Sequence, residues 1–546
     1  IAQCLVGSEM CIRDRIYTMD GNVNEAVSIK DDTIIKVGTN KEVEKFITDE
    51  TEVIDLMGKA VIPGFIDTHT HLVGYGCSIN AVNLENTTSK EEVVERCRDF
   101  INKNDIPEGK WVYGRGWNQN LFTDENTFPT KYDLDKVSIK HPILIIRTCG
   151  HIGIANTIAL EKVGISKNTF IEGGQFDKGD DGEPNGVIRE ASLEWFKKNK
   201  GSKQSNNEIK KAIIDGGNEL IKYGITSVHT EDSYDLGYGG DFEDIYNSYQ
   251  ELISEKRLPV RIYQKISLPK SMEIDEFLKG NFRTGMGNEF YRIGPMKQWT
   301  DGTIGARTAG MLNDYSDDIG NKGLYYYTPE ELYENIKKAH NNGMQVCLHA
   351  IGDGALEMVL NAYEKVLKEF PKKDHRHRIV HCFVGSNEQY KRIADLNLII
   401  NTQPISTSTD IPMMRSRVGE EREKTCHAWN TLTKMGVCIT GSSDIPVETP
   451  NIFKGIYAVV TRKNVDGNPK EPWLENERVS VEDAIKMFTI NAAYSAFEDN
   501  IKGSLKEGKL ADMIVLDRDP FEIDIEELKD IVVEKTILGG EIKYSL

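Results

Sequence analysis

VIPGFIDTHTH (Val61–His71) is the stretch on which the fold reading turns. It starts as a short apolar run and closes on two histidines at i and i+2, which on an extended segment point the same way. An apolar run that does not alternate reads as a strand covered on both faces, as in a parallel α/β sheet. Counting Val61–Thr68 as the first, eight such runs recur. The others are Gly224–His229, Val260–Ile266, Tyr291–Trp299, Met344–His349, Arg378–His381, Leu398–Gln403 and Val437–Ser443. Helical patterns separate them, with capping-box starts at Thr328-Pro329-Glu330-Glu331 and at Ser386 with Gln389, and Gly343 where a helix would end. Eight βα units predict an α/β fold of the TIM type.

The two chain ends read differently. AVSIK, a turn at Asp31-Asp32, TIIKVG and TEVIDL are short strands before the barrel; ADMIVLD (Ala511–Asp517) and Ile531–Tyr544, with a Gly539-Gly540 hairpin signal, follow it. Neither piece buries a core alone, so the two are expected to pair. The first 15 residues, IAQCLVGSEMCIRDR, begin on Ile1, lack periodicity and lack the parts of a secretory signal. They resemble a translated sequencing-adapter scar and are set aside with Cys4 and Cys11.

Composition narrows the function classes. The 546 residues include 86 acidic against 67 basic side chains, a formal charge of −19. That balance repels phosphate backbones and anionic membrane surfaces, so no nucleic-acid or membrane partner is expected. No window approaches 18 apolar residues and the mean hydropathy is −0.44. Nine cysteines with no CxxC pair fit a reducing compartment, so a soluble, cytoplasmic protein is expected.

In a barrel the polar residues at strand C-termini share one face, where barrel enzymes place their chemistry. Here that face collects His69 and His71 from the first strand, Lys297 from the fourth, His349 from the fifth, His381 from the sixth and Asp444 after the eighth. Any one of them alone reads as a hydrogen-bonded or solvated mouth residue. Together, six ligand-type side chains on five strand ends would bury uncompensated polar groups unless something gathers them, and a pair of divalent cations does.

These residues carry a family resemblance. PGFIDTHTH (Pro63–His71), the strand-end lysine and histidines and GSSDIPV (Gly441–Val447) resemble the amidohydrolase superfamily of metal-dependent hydrolases. MKQWTDGTIGARTA (Met296–Ala309), GEPNGVIRE (Gly182–Glu190) and GSLKEGKLADMIVLDRDP (Gly503–Pro520) narrow it to the amidohydrolase 3, or YtcJ-like, branch.

The resemblance implies that His69, His71 and Asp444 hold one metal ion and His349 and His381 the other, with Lys297, carboxylated on its amine, bridging them. A carbamate is an anionic oxygen donor that two cations stabilise, whereas an ammonium is not a ligand; a free Lys297 would leave a mononuclear site. Zinc is expected, and His and carboxylate ligands also accept Mn²⁺, Fe²⁺ or Co²⁺. A zinc-bound water, its pKa lowered to about 7, supplies the hydroxide nucleophile, and Asp444 takes its proton and passes it to the leaving nitrogen.

The expected fold is thus a distorted (β/α)8 barrel over 61–500, with 76–205 inserted after the first strand as a substrate-capping subdomain. A composite β-sandwich of 16–60 with 501–546 completes it. The expected reaction is hydrolysis of a non-peptide carbon–nitrogen bond in a small amide, formamide or cyclic amide. The alternatives are ester or lactone hydrolysis at the same site, or a non-catalytic barrel relative. The substrate-binding candidates are His151, Arg189, His229 and Arg307. His151 and Arg189 match cavity-lining segments of the branch. His229 either meets substrate or packs, and Arg307 either holds a substrate carboxylate or pairs with a nearby acid. WVYGRGWNQNLF (Trp111–Phe122) reads as a lid or as ordinary packing. A small-molecule substrate is expected, and the family's habit implies a homodimer.

Overall fold

The structure is a computed structural model and describes residues 8–12, 14–123, 127–147, 152–171, 174–199, 204–233 and 241–546. Among these, one compact unit falls within 1–72, 217–233 and 249–546, and a second within 73–216 and 234–248.

The first unit holds eight parallel strands, numbered here in chain order. They are β1 (Phe65–Thr70), β2 (Ile225–Thr230), β3 (Arg261–Ser267), β4 (Tyr291–Trp299), β5 (Val346–Ala350), β6 (Arg378–His381), β7 (Ile399–Thr402) and β8 (Ile439–Gly441). Each pairs with the next in sequence order from β1 to β8. No regular ladder joins β8 to β1. The gap is bridged by Thr68 Oγ1 donating to Gly441 O (2.8 Å) and, just above, by backbone bonds from Asp444 N to His69 O and from His71 N to Ile445 O (2.9 Å each). The barrel is nearly closed, and the distorted (β/α)8 architecture read from the sequence is the one observed.

Helix starts follow the local signals. Thr328 with Glu331 and Ser386 with Gln389 form reciprocal capping boxes at the helices Pro329–Asn341 and Asn387–Asp395. Gly343, at φ +79°, stands between the first of these helices and β5.

The first apolar run differs from its reading as one strand. It is two strands, Ala60–Pro63 and β1, broken at Gly64. A Cβ on Gly64 would lie 2.4 Å from the Thr226 side chain, so only glycine lets the chain pass against β2. Ala60–Pro63 belongs to a six-stranded sheet drawn from both chain ends, in the order 541–545, 533–538, 513–516, 60–63, 15–17, 23–24. The Gly539-Gly540 turn joins its last two strands with φ of +56° and +79°, the pair of positive values a tight hairpin requires. A four-stranded sheet runs in the order 33–38, 26–30, 8–12, 52–55. Ile16, Val61, Met513, Val515 and Ile537 of the first sheet share one apolar cluster with Val27, Ile29 and Ile34 of the second. Ser8–Ile12, part of the stretch set aside above, occupies an interior position of that second sheet, where an empty place would leave two rows of backbone groups unpaired.

The second unit is built on a six-stranded mixed sheet in the order 174–178, 184–190, 152–155, 143–147, 112–117, 82–83. Strand alternation feeds a cluster on each face: Ile143 and Ile145 join Val112, Trp117 and Ile154, while Leu144 and Ile146 join Ile188, Leu193 and Phe196. Trp117 and Phe122 belong to the first cluster and Trp111 and Tyr113 pack on the second, so these aromatics of the WVYGRGWNQNLF segment pack within the unit.

Candidate metal centre

The strand ends bring five of the six ligand-type residues into one cluster. Asp444 Oδ1 lies 3.5 Å from His69 Nε2 and 3.3 Å from His71 Nε2. Ligand atoms of the three residues all fall within 4.8 Å of one another. His71 Nδ1 is bonded to the backbone carbonyl of Glu231 (3.0 Å), which only accepts, so Nδ1 carries the proton and Nε2 presents a lone pair. Asp444 Oδ1 is buried and receives no hydrogen bond. A lone pair facing a carboxylate oxygen at this distance is repulsive unless a cation stands between them. Tetrahedral Zn–N and Zn–O bonds of about 2.0–2.2 Å place neighbouring ligand atoms about 3.3–3.6 Å apart, matching both distances. The donor set therefore fits a divalent ion.

His349 and His381 face each other with ring centroids 4.5 Å apart, and the His381 ring lies 5.7 Å from that of His69. A hydrogen-bond chain fixes the His381 tautomer. Ser442 Oγ donates to Thr402 O (2.8 Å) and so accepts from Gln403 Nε2 (2.9 Å), which turns Gln403 Oε1 toward His381 Nδ1 (2.7 Å). Nδ1 must donate, leaving Nε2 with its lone pair. His349 Nδ1 lies 2.8 Å from Asp301 Oδ1. Asp301 is fixed in turn by the amides of Gly310 (2.9 Å), Ile351 (3.1 Å) and Gly352 (2.9 Å). Asp301 thus puts a carboxylate beside His349 without a hydrogen bond to it, whereas Glu231 O and Gln403 Oε1 orient His71 and His381 as partners behind metal-binding imidazoles usually do.

The backbone is strained here. His381, Cys382 and Asp444 hold φ of +75°, +56° and +60°, left-handed values that cost non-glycine residues free energy and collect at functional sites. Asp67 accepts from Ser443 N (3.0 Å) and His69 N (3.3 Å), pinning both sides of the first ligand group. Burial, reinforced by neighbouring cationic groups, holds His69 and His381 well below the ordinary imidazole value, so both are neutral at physiological pH.

Lys297 is fully buried, and its Nζ donates to Glu231 Oε2 (2.8 Å). A second buried lysine, Lys265, meets His69 Nδ1 at 2.9 Å, and burial pushes its amine down to about 8.

The remaining candidates are dispersed. His229 is fully buried inside the barrel, where its Nδ1 accepts from Arg378 Nη1 (3.0 Å) and its ring lies against Tyr263. These contacts are those of the second of its two readings, packing. Arg307 pairs through Nε and Nη2 with Asp317 (3.1 and 3.0 Å), the acid partner weighed above. Arg189, in the second unit, makes the same two-pronged contact with Asp177 (2.8 and 2.6 Å) and stacks on Phe128. His151 lies outside the described residues.

Four residues that surround the cluster escaped the sequence reading: Glu231, Asp301, Gln403 and Lys265. The first three carry the signal used for the others, a polar side chain at or just beyond a strand's C-terminus (HTED, WTDG, NTQP). Lys265 lies within a strand and carries no such signal. His427 also belongs to this neighbourhood. It stacks on Phe383 (4.5 Å), which packs on His381, and its Nε2 lies 3.1 Å from Asp410 Oδ2.

Comparison with known proteins agrees with this geometry. The Amidohydrolase family (Amidohydro_3) matches residues 52–544. YtcJ of Bacillus subtilis (strain 168) is 33% identical over 534 residues, covering 97% of this chain and 98% of that protein. The N-substituted formamide deformylase of Arthrobacter pascens is 27% identical over 561 residues, covering 98% of each. The crystal structure of an uncharacterized metal-dependent hydrolase from Pyrococcus horikoshii OT3 superposes with a TM-score of 0.80 at 26% identity, over 95% of this chain and 99% of that one. With a barrel whose strand ends converge on a metal-type donor set and a family match across nearly its whole length, this chain belongs to the amidohydrolase family.

Proposed function

We propose that this protein hydrolyses a carbon–nitrogen bond, other than an ordinary peptide bond, in a small amide, formamide or cyclic amide. The observation that carries the reading is Asp444 Oδ1 facing two imidazole nitrogens at 3.3 and 3.5 Å without a hydrogen bond. The likeness to a formamide deformylase supports the bond class.

In this reading His69, His71 and Asp444 hold one divalent ion and His349 and His381 a second, with a carboxylated Lys297 between them. Zinc suits the donors, and Mn²⁺, Fe²⁺ or Co²⁺ also fit. When bound, such an ion acidifies a water from about 15.7 to about 7 and polarises a carbonyl. The protein's own residues do the rest. Glu231 O and Gln403 hold the Nδ1 atoms of His71 and His381, turning each ring so that Nε2 points inward. Asp444 accepts a proton and delivers it to the departing nitrogen.

The test is to load the chelator-stripped full chain with Zn²⁺ and bicarbonate, count ions per chain, and assay N-substituted formamides, simple amides, cyclic amides and lactones. Metal-dependent amide or formamide turnover is expected. Turnover of lactones alone would move the reading to an esterase, and a folded chain that retains no metal would overturn it.

A further inference from the structure

Glu231 has a carboxylate oxygen that nothing described so far uses. The residue follows directly on β2, and its backbone is tied to the metal-facing end of β1. Its N–H donates to Thr70 O (2.8 Å) and its carbonyl accepts from His71 Nδ1 (3.0 Å). The side chain is 1% exposed. Oε2 takes the Lys297 ammonium, but Oε1 is buried with no hydrogen-bond partner.

A carboxylate oxygen left without a donor in a protein interior is destabilising. Two neighbouring groups are engaged elsewhere: His381 Nδ1–H is spent on Gln403, and Lys265 Nζ meets His69 Nδ1 at 2.9 Å. What remains able to satisfy it is a cation. Charge points the same way. Two divalent ions bring four positive charges, of which Asp444 and a carbamate on Lys297 offset two. Carboxylation would also remove the ammonium that now faces Glu231, leaving two anions side by side in a dry site unless a cation joins them.

We propose that Glu231 is a metal ligand of this centre, supplying an oxygen from the end of β2 in addition to the donors from β1, β4, β5, β6 and β8. The proposal rests on the reading of the cluster as a metal site. It makes the Glu231–Lys297 pair the metal-free arrangement of two groups that both turn to metal when it is present.

The test compares Lys297→Met with the double variant Lys297→Met and Glu231→Gln, which removes both members of the pair and leaves no unpaired buried charge. Each full-length chain is stripped, checked by thermal unfolding and titrated with Co²⁺, following ions bound per chain and the visible absorption of the bound ion. The double variant is expected to lose an ion that Lys297→Met retains, or to bind it at least about tenfold more weakly with a changed spectrum. Identical stoichiometry, affinity and spectrum in the two variants would overturn the proposal. Should the double variant not fold, a crystal structure of the Zn²⁺-loaded parent decides. A Glu231 oxygen about 2.0–2.2 Å from metal supports the assignment, and a Glu231 still paired with Lys297 ends it. A parent that binds no metal would instead overturn the proposed function.

Discussion

Asp301 Oδ1 stands 2.8 Å from His349 Nδ1 while three backbone amides, from Gly310, Ile351 and Gly352, hold the carboxylate in place. The loop after β4 thereby places a fixed negative charge beside a histidine on β5. Asp301→Asn is expected to weaken metal binding by about 10- to 100-fold, because an amide can turn its NH2 toward the ring and favour the wrong tautomer. Competition against a chromogenic chelator measures the change, and an unaltered affinity would show that Asp301 only braces the loops.

Asp444→Asn removes the base while nearly keeping its shape. Turnover is expected to fall by about 10²- to 10⁴-fold or more, with the thermal unfolding profile little changed. Near-normal kcat would remove Asp444 from the proton-transfer role.

A buried ion pair joins the barrel to the sheet made by the chain ends. Arg261 Nε and Nη2 meet Asp512 Oδ2 and Oδ1 at 2.7 and 2.9 Å, at 1% and 5% exposure. Asp512 also accepts from Gly539 N (2.9 Å). Truncation to Asp512→Ala strands the guanidinium and is expected to cost about 3–5 kcal/mol in urea unfolding, whereas exposed pairs such as Lys110–Glu208 would cost about 1 kcal/mol at most.

Away from the metal centre, three buried histidines bond in series. Val346 N donates to His377 Nδ1 (3.0 Å), so His377 Nε2 donates to His340 Nδ1 (2.8 Å), and His377 N donates to His375 Nδ1 (2.9 Å). Burial, with Lys372 nearby, lowers all three, His377 most strongly, and Tyr363 stacks on His377. In the unfolded chain they titrate near 6.5, so below about that pH the unfolded state takes up protons that the folded state refuses. Their contribution is complete above about 6.5 and is lost as pH falls. His377→Gln, which can accept and donate but not titrate, is expected to flatten the acid-side loss of unfolding free energy by up to about 1.4 kcal/mol per pH unit. An unchanged slope would assign the acid sensitivity elsewhere.

Most of the barrel was legible because its signals are local. Apolar runs, capping boxes and strand-end polar residues each occupy a few consecutive positions, and β2 to β8 fall where those runs lie. The break at Gly64 was not legible, since it depends on the closeness of Thr226, which only the folded chain provides. The same limit explains the site. His69 and His71 announce themselves by spacing, whereas the importance of Asp301, Gln403 and Glu231 lies in what they touch across strands far apart in sequence. Pairing with an acid was one of the two readings of Arg307, but which acid was not legible, nor was any partner for Arg189; Asp317 and Asp177 lie ten and twelve positions away.

Residues 60–70 serve two sheets with one glycine between them. Met513–Leu516 runs antiparallel along Ala60–Pro63, and Asp512 O accepts from Gly64 N (3.0 Å). The segment that delivers His69 and His71 is therefore cantilevered from a clamp made by the end of the chain. During synthesis the first histidines emerge early, yet their footing is incomplete until residues 512–516 have left the ribosome. Shortening the carboxyl end would loosen the metal-binding end of β1 from a distance, through the anchor of the beam rather than through its tip.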